Sequence, residues 1–306
     1  MPNISDKMVK ELLSRYDQIM SDWGAKPEWS VHKRNTPDEL VKCTIPFVGT
    51  HYAEQEKRIL VYASAENLAG YYLGNTKDWP GDWLDDDDQA QNRHRRCFDD
   101  LGLQGASFFP HVHIGPMNDG GLATAVMYLV SKTRDNEAMP RELYEMIAFG
   151  NYGKYSIETP FQKAVRLNPQ LSTEEKKKLK KDLNGRNEDY ATKQNYLEES
   201  HAYIRADIEV LKPDFIIMPC MNDDNFIDSI KGSATIICIN QINGTVVNNM
   251  APNSRNNYHS KYNAYKPEQL SPALQMACDS IKGINRENFM YMFGYLDSVL
   301  QGNGIP

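Results

Sequence analysis

The sequence lacks the features that mark membrane-spanning, secreted and nucleotide-hydrolysing proteins. No apolar run approaches the length of about 18 residues that a membrane span needs. The first residues contain no basic segment followed by an apolar core, so we expect no signal peptide. The chain has no GxxxxGK motif followed by Ser or Thr, and no GxGxxG follows its first predicted strand. These absences argue against P-loop hydrolases and dinucleotide-dependent enzymes.

Cysteine is scarce, and its spacing fits neither a metal site nor a disulfide framework. The 306-residue chain has five cysteines, which are widely spaced and include no pair separated by only two residues. An odd number of scattered thiols is typical of a reduced protein, which predicts a cytoplasmic location.

Positive charge is also in short supply. The formal net charge of −7 and the pI near 5.6 argue against a general coat of positive charge for nucleic acid. A local basic groove is compatible with this balance, because phosphate binding depends on where the charges lie. Residues 166–186 contain seven basic and three acidic side chains. This segment has two open interpretations, a solvated helical face and a contact with a DNA backbone.

The sequence does contain short apolar runs that alternate with segments of helical periodicity. The predicted strands lie at 59–64, within 146–155, at 215–218 and at 234–239, and the predicted helices at 5–23, 85–100, 120–132, 171–186, 188–210 and 271–300. A long loop is expected over 240–263. The alternation predicts an α/β fold, a three-layer sandwich around a central, mainly parallel, four-stranded sheet. No composition shift marks a linker, so we expect one α/β domain over 45–306 and an N-terminal helical extension over 1–44.

Polar residues follow three of the predicted strands at the point where each strand ends. They lie at Ser64 to Asn67, at Asn151 to Tyr155 and around Cys220. Ligands bind at the carboxyl edge of open parallel sheets, so these segments predict one crevice rather than three unrelated loops.

Several motifs follow one another along the chain in an informative order. They are Ala63-Ser-Ala-Glu-Asn67, Ser107-Phe-Phe-Pro110, Gly115-Pro-Met-Asn-Asp-Gly-Gly-Leu122, Ile147-Ala-Phe-Gly-Asn151, the segment from Ile208 to Ile217, and Tyr258-His-Ser-Lys261. Their order and spacing resemble the uracil-DNA glycosylase superfamily over roughly residues 45–300. The resemblance implies the sandwich fold of that family and the excision of a uracil-like base from DNA. The bulky loop side chain that excludes 5-substituents in uracil-specific members has no equivalent here, which predicts room for a larger modified pyrimidine.

The resemblance also implies a role for individual residues. Glu66 and Asn67 would position the attacking water, and His259 would donate a hydrogen bond to the departing base. The base itself would be held by Asn151 at its Watson–Crick edge, by Phe108 or Phe109 through stacking, and by Lys154 and Tyr155 at the pocket mouth. The DNA backbone would contact Ser64, Asn118, Ser260 and Lys261. The family chemistry implies DNA as the partner of a monomer, with neither a cofactor nor a metal.

These residue types suit hydrolysis of an N-glycosidic bond. A flipped base must be stacked and read, and an asparagine offers both a donor and an acceptor to its edge. A carboxylate can orient water and stabilise positive charge on the sugar, and a histidine can stabilise negative charge on the base.

Two other functions fit the same sequence. A protein of this fold that grips nucleic acid or a nucleotide without cutting it is one alternative. A metal-dependent hydrolase is the other, because His111 and His113 would point to the same side of a strand, with Asp119 nearby.

Overall fold

The computed structural model describes residues 4–22, 45–65, 120–133, 143, 145–154, 161, 164–165, 168, 170–183, 189–219, 223–240, 244, 246, 264–280 and 286–305. The strands are β1 (Phe47–Val48), β2 (Ile59–Ala65), β3 (Ala148–Gly153), β4 (Phe215–Met218) and β5 (Thr235–Cys238). The α-helices are α1 (Ile4–Asp22), α2 (Gly120–Thr133), α3 (Thr173–Leu183), α4 (Asp189–Leu211), α5 (Asp224–Ile230), α6 (Pro272–Ser280) and α7 (Arg286–Gly302). Short 3-10 helices lie at Tyr52–Glu54 and Pro267–Gln269.

The described strands form one mostly parallel sheet in the order β1-β3-β2-β4-β5. β2 pairs in parallel with both β3 and β4, and β4 pairs in parallel with β5. The short β1 lies antiparallel to β3 at the edge. The predicted count of four strands was therefore wrong by one. A strand of two residues is too short to show any periodicity in the sequence, so β1 left no signal there.

Helices cover both faces of this sheet, in agreement with the predicted α/β sandwich. On one face, hereafter the α2 face, α2, α6 and α7 pack on Ile59, Val61 and Phe149. On the other, hereafter the α4 face, α1, α4 and α5 pack on Leu60 and Tyr62. Every residue of β4 is buried, as expected for a parallel strand with helices on both sides.

The helix predicted at 5–23 is confirmed as α1, and it joins the core of the α/β fold. Leu12 and Tyr16 are buried against α4 and the sheet. α1 therefore packs as part of the helix layer on the α4 face.

Most other predicted elements are confirmed to within a few residues. Within the predicted helix over 271–300, the described residues form two helices, α6 and α7. The predicted helix at 85–100 and nearly all of the loop at 240–263 lie outside the described residues. Cys238 and Cys278, the cysteines in the described part of the chain, are buried and are not joined in a disulfide there. Within that same part, no helix combines the length and apolar character needed to cross a membrane.

Candidate functional site

The strand order creates a switch point at the carboxyl edge of the sheet. The chain leaves β2 for its neighbour β3 on one side and then crosses to β4 on the other side. In doubly wound sheets, ligands usually bind in the crevice at such a switch point, here beside the end of the central strand β2. The topology therefore puts a candidate site where β2, β3 and β4 end.

Asn151 lies near the end of β3, and one polar atom of its side chain has no hydrogen-bond partner. Its register partner in β2 is Ala63, and residues 149 and 151 share the α2 face of the sheet by strand alternation. Asn151 Oδ1 is buried without a hydrogen-bond partner, the only such side-chain oxygen or nitrogen among the described residues. An unsatisfied buried acceptor costs about 1–3 kcal/mol. A buried acceptor of this kind needs an explanation, and a bound ligand that donates a hydrogen bond to it would provide one.

Two of the neighbours of Asn151 on the sheet are small. Ala63 lies beside it in β2, and Gly153 is the next residue of β3 on the same face. Gly150, just before it, lies on the other face of the strand, where an added Cβ would make an ordinary contact of 3.4 Å with the Pro46 side chain. Phe149, the residue of β3 before Asn151 on the same face, is large, so the side of the amide that carries little bulk is the one toward the carboxyl edge.

The N-terminus of α2 is a second feature that bears on the candidate site. α2 lies in the connection between the parallel neighbours β2 and β3, and a crossover helix of this kind is expected to run antiparallel to the strands and to begin at the carboxyl edge. Its first turn contains Gly120 and Gly121 and no acidic residue. We therefore expect the positive end of the α2 dipole at the edge and on the face that carry Asn151, where it would favour negative charge.

A buried ion pair ties the end of β3 to the α4 face. Lys154 Nζ donates to Asp207 Oδ2 at 2.6 Å, and the side chains of both residues are at most 1% exposed. Tyr62 donates to the same oxygen at 2.7 Å, and Tyr16 donates to Asp207 Oδ1 at 2.8 Å. Hereafter these four residues are the Asp207 network. It joins α1, β2, β3 and α4, and every partner of the carboxylate is a donor.

A second carboxylate holds the last part of β3. Tyr152 donates to Asp223 Oδ2 at 2.7 Å, and His201 Nε2 forms a 2.6 Å hydrogen bond with the same oxygen. The His201 ring stacks on Phe226 with the ring centres 3.7 Å apart. Asp223 directly precedes α5, so this contact also anchors the start of that helix. Together the two carboxylates fix the residues on both sides of Gly153.

The buried tyrosines make an alkaline instability expected. Burial raises the pKa of Tyr62, Tyr152 and Tyr52, and the nearby carboxylates Asp207 and Asp223 raise the pKa of the first two further. These hydroxyls stay protonated in the folded state while the unfolded chain ionises near pH 10. The stability that they contribute is complete below that pH. It is lost as the pH rises, by about 1.4 kcal/mol per pH unit for each tyrosine.

Chemical denaturation at a series of pH values between about 9 and about 11 measures this effect. We expect the free energy of unfolding to fall steeply above about pH 10, and unfolding in that range to add the tyrosinate absorbance of the buried hydroxyls. A free energy that stays flat over this range, or unfolding that adds no tyrosinate absorbance, would contradict the expectation. Tyr62→Phe should make the fall less steep.

The predicted pocket residue Lys154 lies elsewhere. Its amine was expected at the pocket mouth, but it is buried against Asp207 on the α4 face, opposite the face of Asn151. The reason is alternation, because residues 151 and 154 differ by an odd number along an extended chain. Lys154 serves as one half of an ion pair instead.

Most of the other predicted site residues lie outside the described part of the chain. Ser64 is a residue of β2, but its side chain lies outside the described set. The remaining residues outside it are Glu66, Asn67, Phe108, Phe109, His111, His113, Asn118, Tyr155, His259, Ser260 and Lys261. Among the predicted positions, Asn151 and Lys154 are those whose side-chain surroundings the structure describes.

Sequence reasoning missed the two buried carboxylates, although one of them had a signal. Asp207 occupies a core position of α4, in register with the buried residues Tyr203, Ile204 and Leu211. A carboxylate on an apolar helical stripe predicts buried donors. Asp223 lies in a loop without periodicity, so its role had no comparable signal.

The described residues offer no metal site, since no group of three His, Cys, Asp or Glu side chains among them converges. Comparisons of the chain with protein-family models, with curated proteins and with solved structures find no match.

Proposed function

We propose that this chain is a monofunctional DNA glycosylase that removes a uracil-like or modified pyrimidine base. The proposal depends above all on Asn151, whose buried Oδ1 lacks a hydrogen-bond partner near the end of β3. A pyrimidine edge with an N–H donor would satisfy that oxygen, and the amide nitrogen can donate to a neighbouring carbonyl of the base. The order of motifs that resembles the uracil-DNA glycosylase superfamily supplies the reaction type.

The electrostatics of the carboxyl edge support this reaction. The base leaves as an anion when the N-glycosidic bond breaks, and the positive end of α2 favours negative charge at that edge. Small neighbours such as Ala63 and Gly153 suit a flat ligand above the strand.

A water nucleophile fits better than a lysine. A lysine that attacks the sugar must be neutral and accessible. Lys154, the lysine that follows Asn151 most closely, is buried and held by Asp207. We therefore assign the attack to water, positioned by Glu66 with Asn67. The water oxygen bonds to C1′ of the sugar, the base leaves with the bond electrons, and the water proton passes to the carboxylate.

The remaining roles follow the resemblance. His259 would donate a hydrogen bond to the departing base, and Phe108 or Phe109 would stack on it. Tyr155 would line the pocket mouth. Ser64, Asn118, Ser260 and Lys261 would contact the flanking phosphates. This assignment needs neither a metal nor a cofactor.

A base-release assay tests the proposal. The full chain is incubated with labelled oligonucleotides, single-stranded and duplex, that carry uracil or one of several bulky 5-substituted pyrimidines. We expect strand breaks at the modified position after alkali and none before it, because a water mechanism leaves an intact abasic strand. We also expect a bulky base to be preferred over uracil.

Other outcomes of this assay have definite meanings. Breaks that appear before alkali would contradict the water mechanism, and a preference for uracil would contradict the larger pocket. If the same duplexes bind but no base leaves any of them, the non-catalytic alternative is correct. If release stops with a chelator and returns with a divalent metal, the metal-dependent alternative through His111 and His113 is correct.

A further inference from the structure

α3 is stabilised by hydrogen bonds between residues close in sequence rather than by packing in the core. None of its residues is buried. Ser172 and Glu175 form the predicted capping box: the Ser172 backbone N–H donates to Glu175 Oε2 at 2.8 Å, and the Glu175 N–H contacts Ser172 Oγ at 3.3 Å. Its lysines, glutamates and leucines are good helix formers. Because the helix is stabilised locally and none of its residues is buried, its outward side chains are accessible to a binding partner.

One side of α3 carries four lysines close together. At about 100° per residue, Lys176, Lys177, Lys180 and Lys181 fall within an arc of about 140°. Hereafter these four residues are the lysine face. Its members repeat at i and i+4, a spacing at which like charges repel.

Little within the described residues offsets this repulsion. Lys177 pairs with Glu174 at 3.0 Å, and both side chains are more than two-thirds exposed. The other three lysines of the face have no ion pair within the described part of the chain. A chain whose net charge is −7 thus gathers positive charge on one exposed helix. An external polyanion would relieve the repulsion.

The place of α3 in the chain connects it with the candidate site. α3 lies between the carboxyl end of β3 and the start of α4. α4 leads into β4, which is parallel to the central strands, so α4 also begins at the carboxyl edge. The connection that contains α3 therefore leaves and returns at the edge that carries Asn151.

We infer that the lysine face of α3 binds the phosphate backbone of DNA. A repeating line of phosphates matches a line of lysines, three of which have no ion pair with the described residues. A membrane surface fits less well, because helices that lie on membranes have a broad apolar face, and α3 has only Leu179 and Leu183. Naming DNA as the polyanion rests on the proposed function, and the contact would be independent of base sequence.

The test compares two variants of the full chain that lose the same charge. The first carries Lys→Gln at all four positions of the lysine face, and glutamine preserves helix propensity. The control carries Lys7→Gln, Lys10→Gln, Lys212→Gln and Lys266→Gln, four exposed positions outside α3. Binding to a labelled, unmodified duplex is measured by fluorescence anisotropy between about 50 and about 200 mM salt. Circular dichroism verifies that each variant is folded.

We expect the lysine-face variant to bind at least about 10-fold more weakly at low salt, and the slope of log affinity against log salt to flatten by about 3–4. The control should bind much as the wild type does. Three results would overturn the inference: an unchanged lysine-face variant, an equal loss in the control, or a wild type that binds anionic phosphatidylserine vesicles but no duplex.

The experiment separates this inference from the proposed catalysis, because the duplex contains no base to excise. Binding that depends on α3, without any base release in the glycosylase assay, would support the DNA surface and contradict the enzyme. Base release by a protein whose DNA binding does not depend on the lysine face would support the enzyme and contradict the DNA-binding surface.

Discussion

Asn151→Ala should lower the rate of base release by about 100- to 1000-fold. The side chain would lose both hydrogen bonds to the base, and these strengthen as negative charge develops on the leaving group. The loss should appear in single-turnover rates at saturating substrate as well as in kcat/KM. Glu66→Gln should have an effect of about 100- to 10,000-fold, because an amide cannot take the proton of the attacking water.

The stability of the Asn151→Ala variant gives a second and sharper test. Asn151 Oδ1 is buried without a partner, so its removal deletes an unsatisfied acceptor. We expect Asn151→Ala to unfold at the same denaturant concentration as the wild type or at a higher one. Lost activity together with unchanged or increased stability is the pattern of a residue kept for binding.

A matched asparagine provides the control. Asn303 is exposed and accepts a 3.0 Å hydrogen bond from Thr235 at the start of β5, the opposite edge of the sheet from Asn151. Asn303→Ala should leave base release unchanged. Equal rates in Asn151→Ala and the wild type would remove Asn151 from the site. Asn151→Asp keeps the shape but loses the amide donor, so it should also be impaired.

Asp207→Ala should lower the free energy of unfolding by about 3–5 kcal/mol. The substitution leaves the ammonium of Lys154 buried without a counter-ion, and it strips Tyr16 and Tyr62 of their acceptor. Unfolding in urea, followed by circular dichroism, measures the loss. Should this variant fail to fold, Asp207→Asn retains an acceptor and allows the same comparison at smaller amplitude.

A double-mutant cycle separates the ion pair from the packing around it. Lys154→Met alone leaves the carboxylate with its two tyrosine donors, so we expect a smaller loss than for Asp207→Ala. The double variant Lys154→Met/Asp207→Ala should lose less stability than the sum of the two single losses, because it leaves no buried ammonium without a counter-ion. Additive losses would show that Lys154 and Asp207 do not depend on each other.

The exposed pair of Arg15 and Glu209 is the control for this cycle. It also joins α1 to α4, but the two side chains are 53% and 62% exposed and 3.9 Å apart. Breaking it with Glu209→Ala should change the free energy of unfolding by only about 0–1 kcal/mol, the range usual for exposed pairs. A loss as large as that of Asp207→Ala would mean that the α1–α4 contact, rather than burial of charge, sets the energy.

The sequence alone predicted the strands whose residues are buried on both sides. β4, Phe215–Met218, matches its predicted bounds because four apolar residues between Pro213 and the following Pro219 read as a buried strand. α3 and its capping box were predicted for a similar reason, since the hydrogen bonds of the box join residues only three apart. Short-range chemistry decides such elements, and short-range chemistry is visible in a sequence.

The partners of the polar residues at the end of β3 were not predictable in the same way. Asn151, Tyr152 and Lys154 read as one polar cluster in the sequence, but alternation along β3 sends the first to the α2 face and the other two to the α4 face. The partners of Lys154 and Tyr152 lie 53 and 71 residues further along the chain. No local pattern encodes contacts at that separation.

What the sequence determined by itself is therefore the set of elements, their alternation, and the position of Asn151 near the end of a strand. The tertiary structure decided that Lys154 holds the fold instead of the ligand, and that Asn151 keeps an acceptor without a partner. The physical reason is that propensity and periodicity act over a few residues. Whether a buried polar group is satisfied depends instead on which distant side chains the packed helices and strands bring within hydrogen-bond distance.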